Sequence, residues 1–228
     1  MNTPAETTGT ATSRARQVRR AIRRQTRARL ALSGPSGAGK TWTALSIARI
    51  IAPGKPVVVI DTEPGDGSQG AAELYADHFD FDTIQWDPPY DPRDLTATIR
   101  ELGAEYPEGV GIIDSASHFW KGEGGTLDVA DGRFGGWKVA SPAQDKLVEA
   151  ILRSPMHWIV CTRAKQSYEV EQDQNGKQTV RKLGLAPIQR DDLEYEFQVV
   201  AMLDGDHRLD VGKTRAAPLA GLSFGAND

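Results

Sequence analysis

The chain has 228 residues, of which 39% are hydrophobic and 25% are charged, as in a soluble globular domain with a sizeable core. No apolar run approaches the roughly 18 residues of a membrane-spanning helix, and the N-terminus lacks the apolar stretch of a secretory signal, so we expect a cytoplasmic protein with no membrane partner. The single cysteine, Cys161, excludes an internal disulfide, and the four histidines lack zinc-ligand spacing.

The net charge of −4 conceals an uneven distribution along the chain. Residues 1–29 contain eight arginines and one acidic residue, Glu6, for a net charge of +7, whereas the rest carries 19 basic and 30 acidic side chains, for −11. A basic arm on an acidic body can bind nucleic acid or another anion, and it can equally be a solvated tail. We predict a basic, disordered arm over residues 1–26 and a folded domain over residues 27–228.

Strand-like and helix-like stretches alternate along the chain. The pattern predicts strands at 29–33, 56–61, 83–87, 109–114 and 157–162, and helices at 14–27, 40–51, 92–106 and 141–154, the last with Ser141 as N-cap, Pro142 in the first turn and Gln144 as capping-box partner. Asn175-Gly176 predicts a hairpin over 167–184, and two further strands are expected at 194–204 and 207–215. This order predicts an α/β fold: a mostly parallel sheet with helices on both faces and antiparallel hairpins toward the C-terminus.

The stretch GPSGAGKT at residues 34–41 matches the phosphate-binding loop pattern G-x-x-x-x-G-K-[ST] between a predicted strand and a predicted helix. Its glycines let backbone N–H groups surround phosphate oxygens at the positive end of the helix. Its lysine reaches the β- and γ-phosphates, and its threonine hydroxyl coordinates Mg²⁺. The absence of an N-K-x-D guanine motif favours ATP. We therefore expect ATP and Mg²⁺, bound with the help of Gly34, Pro35, Ser36, Gly37, Ala38, Gly39, Lys40 and Thr41.

Two more buried strands end on carboxylates. VGIIDS (110–115) ends on Asp114, which with Thr41 forms the predicted magnesium site. VVVIDTE (57–63) ends on Asp61 and continues to Glu63. Because ligands of parallel sheets bind at the carboxyl ends of strands, and because no glutamate follows Asp114, we predict that Glu63 activates water. The alternative is that Asp61 and Glu63 only cap the strand or the turn, and for Asp61 we favour such a structural role.

Strand-Asp-Thr-Glu after the P-loop helix, Asp-Ser after the next buried strand and CTRAK after the strand that follows together resemble the RecA superfamily of P-loop ATPases. The stretches RLALSGPSGAGKTWTAL, IIDSASHFW, GGWKVASP and RKLGLAPIQRDDLEYEF are similar to phage-type AAA-family ATPases, which are related to phage single-strand-annealing ATPases. The resemblance covers about residues 27–222 and implies a RecA-like P-loop ATPase domain. Many RecA-type recombinases sense the γ-phosphate with a glutamine where this chain has Cys161 or Thr162, and Thr162 can hydrogen-bond phosphate or water.

The resemblance also bears on Lys213 and Arg215, which lie two residues apart near the end of a predicted strand and point to the same side. They look like the lysine/arginine finger pair that reaches a neighbour's γ-phosphate in several RecA-superfamily rings and filaments. That role implies a head-to-tail homo-oligomer. The alternative is weak surface pairing with Asp204 or Asp206.

Two segments combine cations with aromatic rings, a composition suited to stacking on single-stranded DNA. The first, 119–138, holds six glycines with Trp120, Lys121, Arg133, Phe134, Trp137 and Lys138, and the second, 163–182, holds Arg163, Lys165, Tyr168, Lys177, Arg181 and Lys182. The alternative is that the glycines shape the nucleotide site and that the rings pack in the core.

The function that the sequence favours is a Mg²⁺-dependent ATPase acting in phage-type DNA recombination, replication or single-strand annealing. A P-loop nucleotide or small-molecule kinase is an alternative, because Arg163, Arg181 and Arg190 can belong to a lid over an acceptor. A nucleotide-binding regulatory or assembly protein with little turnover is another.

Overall fold

A computed structural model of the chain describes residues 20, 26–63, 70–131, 134–172 and 178–225. The strands are β1 (Arg29–Gly34), β2 (Val57–Asp61), β3 (Asp82–Gln85), β4 (Val110–Asp114), β5 (His157–Gln172), β6 (Gln178–Pro187), β7 (Val199–Leu203), β8 (Leu209–Thr214) and β9 (Ser223–Phe224). The α-helices are α1 (Lys40–Ile51), α2 (Pro92–Glu105), α3 (Ser117–Lys121), α4 (Thr126–Asp131), α5 (Trp137–Arg153) and α6 (Leu193–Glu196). Most of the predicted arm, including the helix expected at 14–27, lies outside the described residues.

The sheet confirms the predicted fold class. Its strand order is β3-β2-β4-β5-β1-β7-β8-β9, and β6 pairs with β5 outside this order. Neighbouring strands from β3 to β7 are parallel, whereas β6, β8 and β9 join antiparallel to their partners. The carboxyl ends of β1, β2, β4 and β5 therefore meet along one edge of the sheet, where an α/β fold places its ligands.

Two apolar layers cover the two faces of this sheet. One contains Leu95 and Ile99 of α2 and Leu147 of α5, and the other contains Ala44 and Leu45 of α1. Strands β2 and β4 are buried at every position, which explains why their sequences lack polar alternation before the final aspartate. Among the helices of the described residues, none is long and apolar enough to cross a membrane.

Helix α5 corrects the expected helix at 141–154, because it begins at Trp137. Ser141 and Pro142 lie inside the helix, and Gln144 is buried and accepts a hydrogen bond from Thr126 Oγ1 at 2.9 Å. The local capping signals are overridden because the added turn buries Ala140 and packs on α4. Pro142 lacks the N–H that would bond to the carbonyl of Lys138, and its ring crowds that carbonyl, so the helix forms despite a local cost.

The C-terminal region agrees with the expected strands in part. Backbone pairing of Ala164–Gln172 with Gln178–Pro187 confirms the antiparallel arms of the hairpin, while the turn residues Asn175 and Gly176 lie outside the described residues. The strand expected at 194–204 is shorter than predicted, because residues Leu193–Glu196 form α6 before β7 begins.

Two arginines counted with the basic arm belong to the folded domain. Arg29 is 4% exposed, and its guanidinium donates to the carbonyl oxygens of Ala28, Leu152, Ser154 and Met156 at 2.5–3.2 Å. It thereby caps the carboxyl end of α5, where a cation also meets the negative end of the helix dipole. Burial, with a smaller effect of the charge on Arg27, lowers the pKa of Arg29 to about 10, so the side chain stays charged at neutral pH.

Replacing Arg29 with alanine should destabilise the domain by about 2–4 kcal/mol, because it leaves several buried carbonyl oxygens without donors. Arg27→Ala is the matched control, because the contacts of the Arg27 side chain with the described residues are long, at 3.5 Å to Glu108 and His157. Urea unfolding followed by circular dichroism measures both changes. Equal midpoints for the two variants would contradict the structural role of Arg29.

Candidate functional site

The carboxyl edge of the sheet gathers most of the predicted site residues. Strand pairing sets Asp61 beside Asp114 and Gly34 beside Arg163. Residues far apart in the sequence are thus brought together by register alone. The loop 34–41 leaves β1 at this edge and enters α1.

The loop has the backbone geometry that its glycines predict. Gly37 and Gly39 have φ angles of +78° and +92°, in the left-handed region that glycine tolerates best. Gly34 has no room for a side chain, since a Cβ there would lie 2.8 Å from the carbonyl oxygen of Leu203. Of the other predicted residues, Pro35 is partly buried, Ser36 is exposed and Ala38 is buried beneath the loop.

Lys40 is 8% exposed and bends back into the loop. Its ammonium donates to the carbonyl oxygens of Gly34 at 3.2 Å and Pro35 at 2.9 Å. Both acceptors are neutral, and within the described residues no carboxylate pairs with this cation. An anion held by the loop would therefore be a stronger partner for Lys40 than the carbonyls are.

Asp114 and Thr41 are in direct contact. Thr41 Oγ1 donates to Asp114 Oδ2 at 2.5 Å, and Asp114 is 3% exposed. The other oxygen, Oδ1, is buried and has no hydrogen-bond donor in the described part of the chain. Burial raises the pKa of Asp114 to about 6, although the hydrogen bond from Thr41 opposes the shift. A hydroxyl beside a buried carboxylate with one unpaired oxygen fits the oxygen-ligand preference of Mg²⁺.

Glu63 forms a two-point ion pair with Arg163. Arg163 Nε donates to Oε1 at 2.9 Å, and Arg163 Nη2 donates to Oε2. Burial raises the pKa of Glu63, but the hydrogen bonds and charge of Arg163, with a smaller effect of the charge on Lys40, lower it below the ordinary value overall. Glu63 is thus ionised at neutral pH, and its side chain remains 25% exposed at the site.

Asp61 has a structural environment. It is 1% exposed and accepts hydrogen bonds from the backbone N–H of Glu63 at 2.9 Å and of Ala72 at 2.7 Å. Burial raises the pKa of Asp61, and these two bonds counter part of the shift. Asp61 therefore fixes the backbone conformation at Glu63.

His118 lies beside Glu63 and is packed. The Nδ1 atom is 2.7 Å from Thr62 Oγ1, and the ring stacks on Tyr90 with 5.0 Å between centroids. Burial and then the charge of Arg163 lower the pKa of His118, so the imidazole is neutral at pH 7. These contacts fit a packed, hydrogen-bonded ring.

Thr162 and Cys161, the predicted contacts of the γ-phosphate, are both buried in the structure. Thr162 is 1% exposed, and its Oγ1 lies 2.7 Å from Ser33 Oγ beneath the loop, while Cys161 is buried in the core. The residue that extends into the site from β5 is Arg163, which we predicted from the sequence as a possible DNA contact. Its position directly after the strand in CTRAK was the available signal, but its partner Glu63 lies 100 residues away.

Lys213 and Arg215 lie at the opposite edge of the sheet. β8 runs antiparallel to β7, so its carboxyl end lies near the start of β1. Lys213 Nζ donates to the carbonyls of residues 194, 195 and 197 at 2.7–3.1 Å, which uses all three of its N–H groups and holds the end of α6. These contacts lie within the chain, and the finger role of Lys213 stays a prediction. Arg215 is exposed and lines a cavity of about 480 Å³ together with Arg27, Glu196 and Gln198.

The pKa of Asp114 predicts a pH-dependent stability in Mg²⁺-free buffer. The folded value of about 6 exceeds the ordinary value of 3.8, so the fold favours the protonated carboxyl and loses stability as pH rises from about 4 through 6. The free energy of unfolding of Asp114→Asn relative to the parent should therefore increase by about 2.5 kcal/mol between pH 4 and pH 7.5. Urea titrations across that range measure the difference, and a flat difference would show that Asp114 is not perturbed.

The family model described as AAA domain matches residues 26–217, a span that contains the loop 34–41, Glu63, Asp114 and Arg163. A search of curated proteins found no match. Because this match spans most of the chain, the chain belongs to the AAA domain family of P-loop nucleotide-binding ATPases.

Proposed function

We propose that the protein is a Mg²⁺-dependent ATP hydrolase that acts on single-stranded DNA in phage-type recombination, replication or strand annealing. The observation that carries the hydrolase assignment is the meeting of three groups at one sheet edge: Lys40 in the loop, Thr41 against Asp114, and Glu63 beyond β2. Each group has a separate role in phosphoryl transfer to water.

Lys40 and the loop N–H groups would hold the phosphates of ATP, with Lys40 exchanging its carbonyl partners for phosphate oxygens. Thr41 and Asp114 would hold Mg²⁺, which when bound neutralises charge on the phosphates. Glu63 orients a water and accepts its proton as the water oxygen attacks the γ-phosphorus. The bond from that phosphorus to the bridging oxygen breaks, and ADP departs with the bonding electrons.

The kinase alternative loses support from the arginines on which it depended. Arg163 pairs with Glu63, and Arg190 donates to Asp145 Oδ1 at 2.5 Å, while the side chain of Arg181 lies outside the described part of the chain. Two of the three lid candidates are thus held by carboxylates of the domain itself.

Exposed rings support the proposed contact with single-stranded DNA. Phe134 is fully exposed and Trp137 is 49% exposed, with Trp120 6.3 Å from Trp137 between ring centroids and the exposed cation Lys138 next in sequence. Aromatic faces beside cations bind bases by stacking and phosphates by charge. Arg133 and the side chains of Tyr168, Lys177, Arg181 and Lys182 lie outside the described residues.

Arg215 supports the proposal of a head-to-tail oligomer. It is exposed at the sheet edge opposite its own loop, and the described residues offer its guanidinium no hydrogen bond or ion pair. A cation in that position cannot act on its own nucleotide but can reach the site of a neighbour in a ring or filament. Lys213, with its three N–H groups on carbonyl oxygens, would support the strand that carries Arg215.

Two variants should distinguish loss of nucleotide binding from loss of ATP hydrolysis. Lys40→Ala should abolish binding of a fluorescent ATP analogue, whereas Glu63→Gln should bind it normally and hydrolyse ATP about 10²-fold or more slowly. Single-stranded DNA should stimulate the parent protein, and the stimulation should weaken at higher salt because phosphate contacts release counterions.

Parental hydrolysis by Glu63→Gln would refute the assigned role of Glu63. Nucleotide binding by the parent without hydrolysis would favour a regulatory or assembly protein, and transfer of phosphate to an added acceptor would favour a kinase.

Mixtures of two variant subunits should test whether neighbouring subunits share a hydrolysis site. Arg215→Ala and Lys40→Ala subunits should each hydrolyse ATP poorly, and their mixture should regain activity, because one supplies an intact loop and the other an intact arginine to a shared site. Steady-state hydrolysis across mixing ratios measures the recovery. Full activity of Arg215→Ala alone would remove the finger role.

A further inference from the structure

The orientation of the Glu63 carboxylate depends on Arg163. Glu63 lies two residues beyond the end of β2, so strand pairing does not orient its side chain. Among the described side chains, Arg163 is its hydrogen-bond partner, and the contact engages both carboxylate oxygens. A planar two-point contact of this kind fixes both the position and the plane of a carboxylate.

Arg163 is itself held by backbone contacts on both sides. Its N–H donates to Ser117 Oγ at 2.9 Å, and its carbonyl oxygen accepts from the Ile188 N–H at 2.7 Å. Ser117 Oγ donates in turn to the Ile188 carbonyl at 2.8 Å. The Cα atom of Arg163 faces that of Gly34, the first residue of the phosphate-binding loop, in the pairing of β5 with β1. The backbone of Arg163 is therefore fixed relative to the loop, and its contact with Glu63 fixes the Glu63 carboxylate relative to the loop as well.

We propose that Arg163 is a positioning residue for ATP hydrolysis, which holds the carboxylate of Glu63 in the orientation required to engage the attacking water. The inference rests on the proposed function and deepens it. Arg163 acts through Glu63 and not on the nucleotide.

The contact leaves Glu63 able to do chemistry. A carboxylate has about four lone-pair sites, and the two N–H donors of Arg163 occupy one on each oxygen, so each oxygen can still accept from water. A guanidinium stays protonated, so it does not compete as a base. Burial around Glu63 would otherwise favour its neutral form, and Arg163 offsets this effect.

The experiment compares steady-state hydrolysis in the absence of DNA for the parent, Arg163→Ala, Arg163→Lys and Arg190→Ala. Arg190→Ala is the matched control, because Arg163 and Arg190 each have side chains 38% exposed and each pair with one carboxylate. Arg163→Ala should lower kcat by about 10–100-fold with KM changed less than about threefold, as expected when a reacting group is misplaced but nucleotide is still bound. Arg163→Lys, which keeps the charge but not the planar two-point contact, should recover only part of kcat. Arg190→Ala should match the parent.

A double-mutant cycle distinguishes positioning from a structural role. If Arg163 acts through Glu63, then adding Arg163→Ala to Glu63→Gln should change the residual rate less than about twofold, whereas a structural loss would lower the rate in both backgrounds. Thermal denaturation of each variant shows whether the fold is retained.

Unchanged or faster kcat in Arg163→Ala would overturn the inference, and so would an undiminished effect of Arg163→Ala in the Glu63→Gln background. A parent protein that binds ATP and does not hydrolyse it would instead refute the proposed function, so the two failures are distinguishable.

Discussion

The structure depends on how negative charge is compensated at the carboxyl edge of a parallel sheet. Register brings Asp61 and Asp114 side by side, and Glu63 follows two residues later. Within the part of the chain that the structure describes, each carboxylate is compensated differently: Asp61 by backbone N–H groups, Glu63 by Arg163, and Asp114 by one hydroxyl that leaves an oxygen unpaired. A metal ion would complement that unpaired oxygen. A phosphate would complement the ammonium of Lys40, whose hydrogen bonds among the described residues go to neutral carbonyls.

Much of this arrangement was predictable from the sequence because it is local. The alternation of apolar strands with helices predicted the parallel sheet, and the loop pattern predicted which strand ends form the site. What could not be predicted depends on contacts between distant residues. The pair of Glu63 with Arg163 joins positions 100 residues apart, and no spacing rule connects them. The predicted start of α5 at residue 141 was wrong. Ser141 and Pro142 form a strong local capping signal, but packing against α4 overrides it.

Basic residues in this chain have two different environments, and charge counts alone did not separate them. Arg29 and Lys213 contact mainly carbonyl oxygens at the ends of helices α5 and α6, so their charge stabilises the fold. Lys40 and Arg163 lie at the site, and Arg215 is exposed at the opposite edge. A net positive charge in the first 29 residues therefore overstates what is available to an anionic ligand, because Arg29 is buried and bonded within the domain.

Strand β5 belongs to two pairing systems that meet beside the site. It is parallel to β1 as far as Arg163 and antiparallel to β6 from Ala164 onward, with an irregularity in register at Ser167 and Tyr168. The antiparallel part extends away from Arg163. Residues inserted or deleted near its turn should therefore leave the pairing of β5 with β1 at Arg163 unchanged. When equal numbers of residues are added to or removed from both strands, the remaining side chains keep the surfaces they face, since side chains alternate along a strand. Homologous proteins can therefore differ in the length of this hairpin while keeping the same nucleotide site.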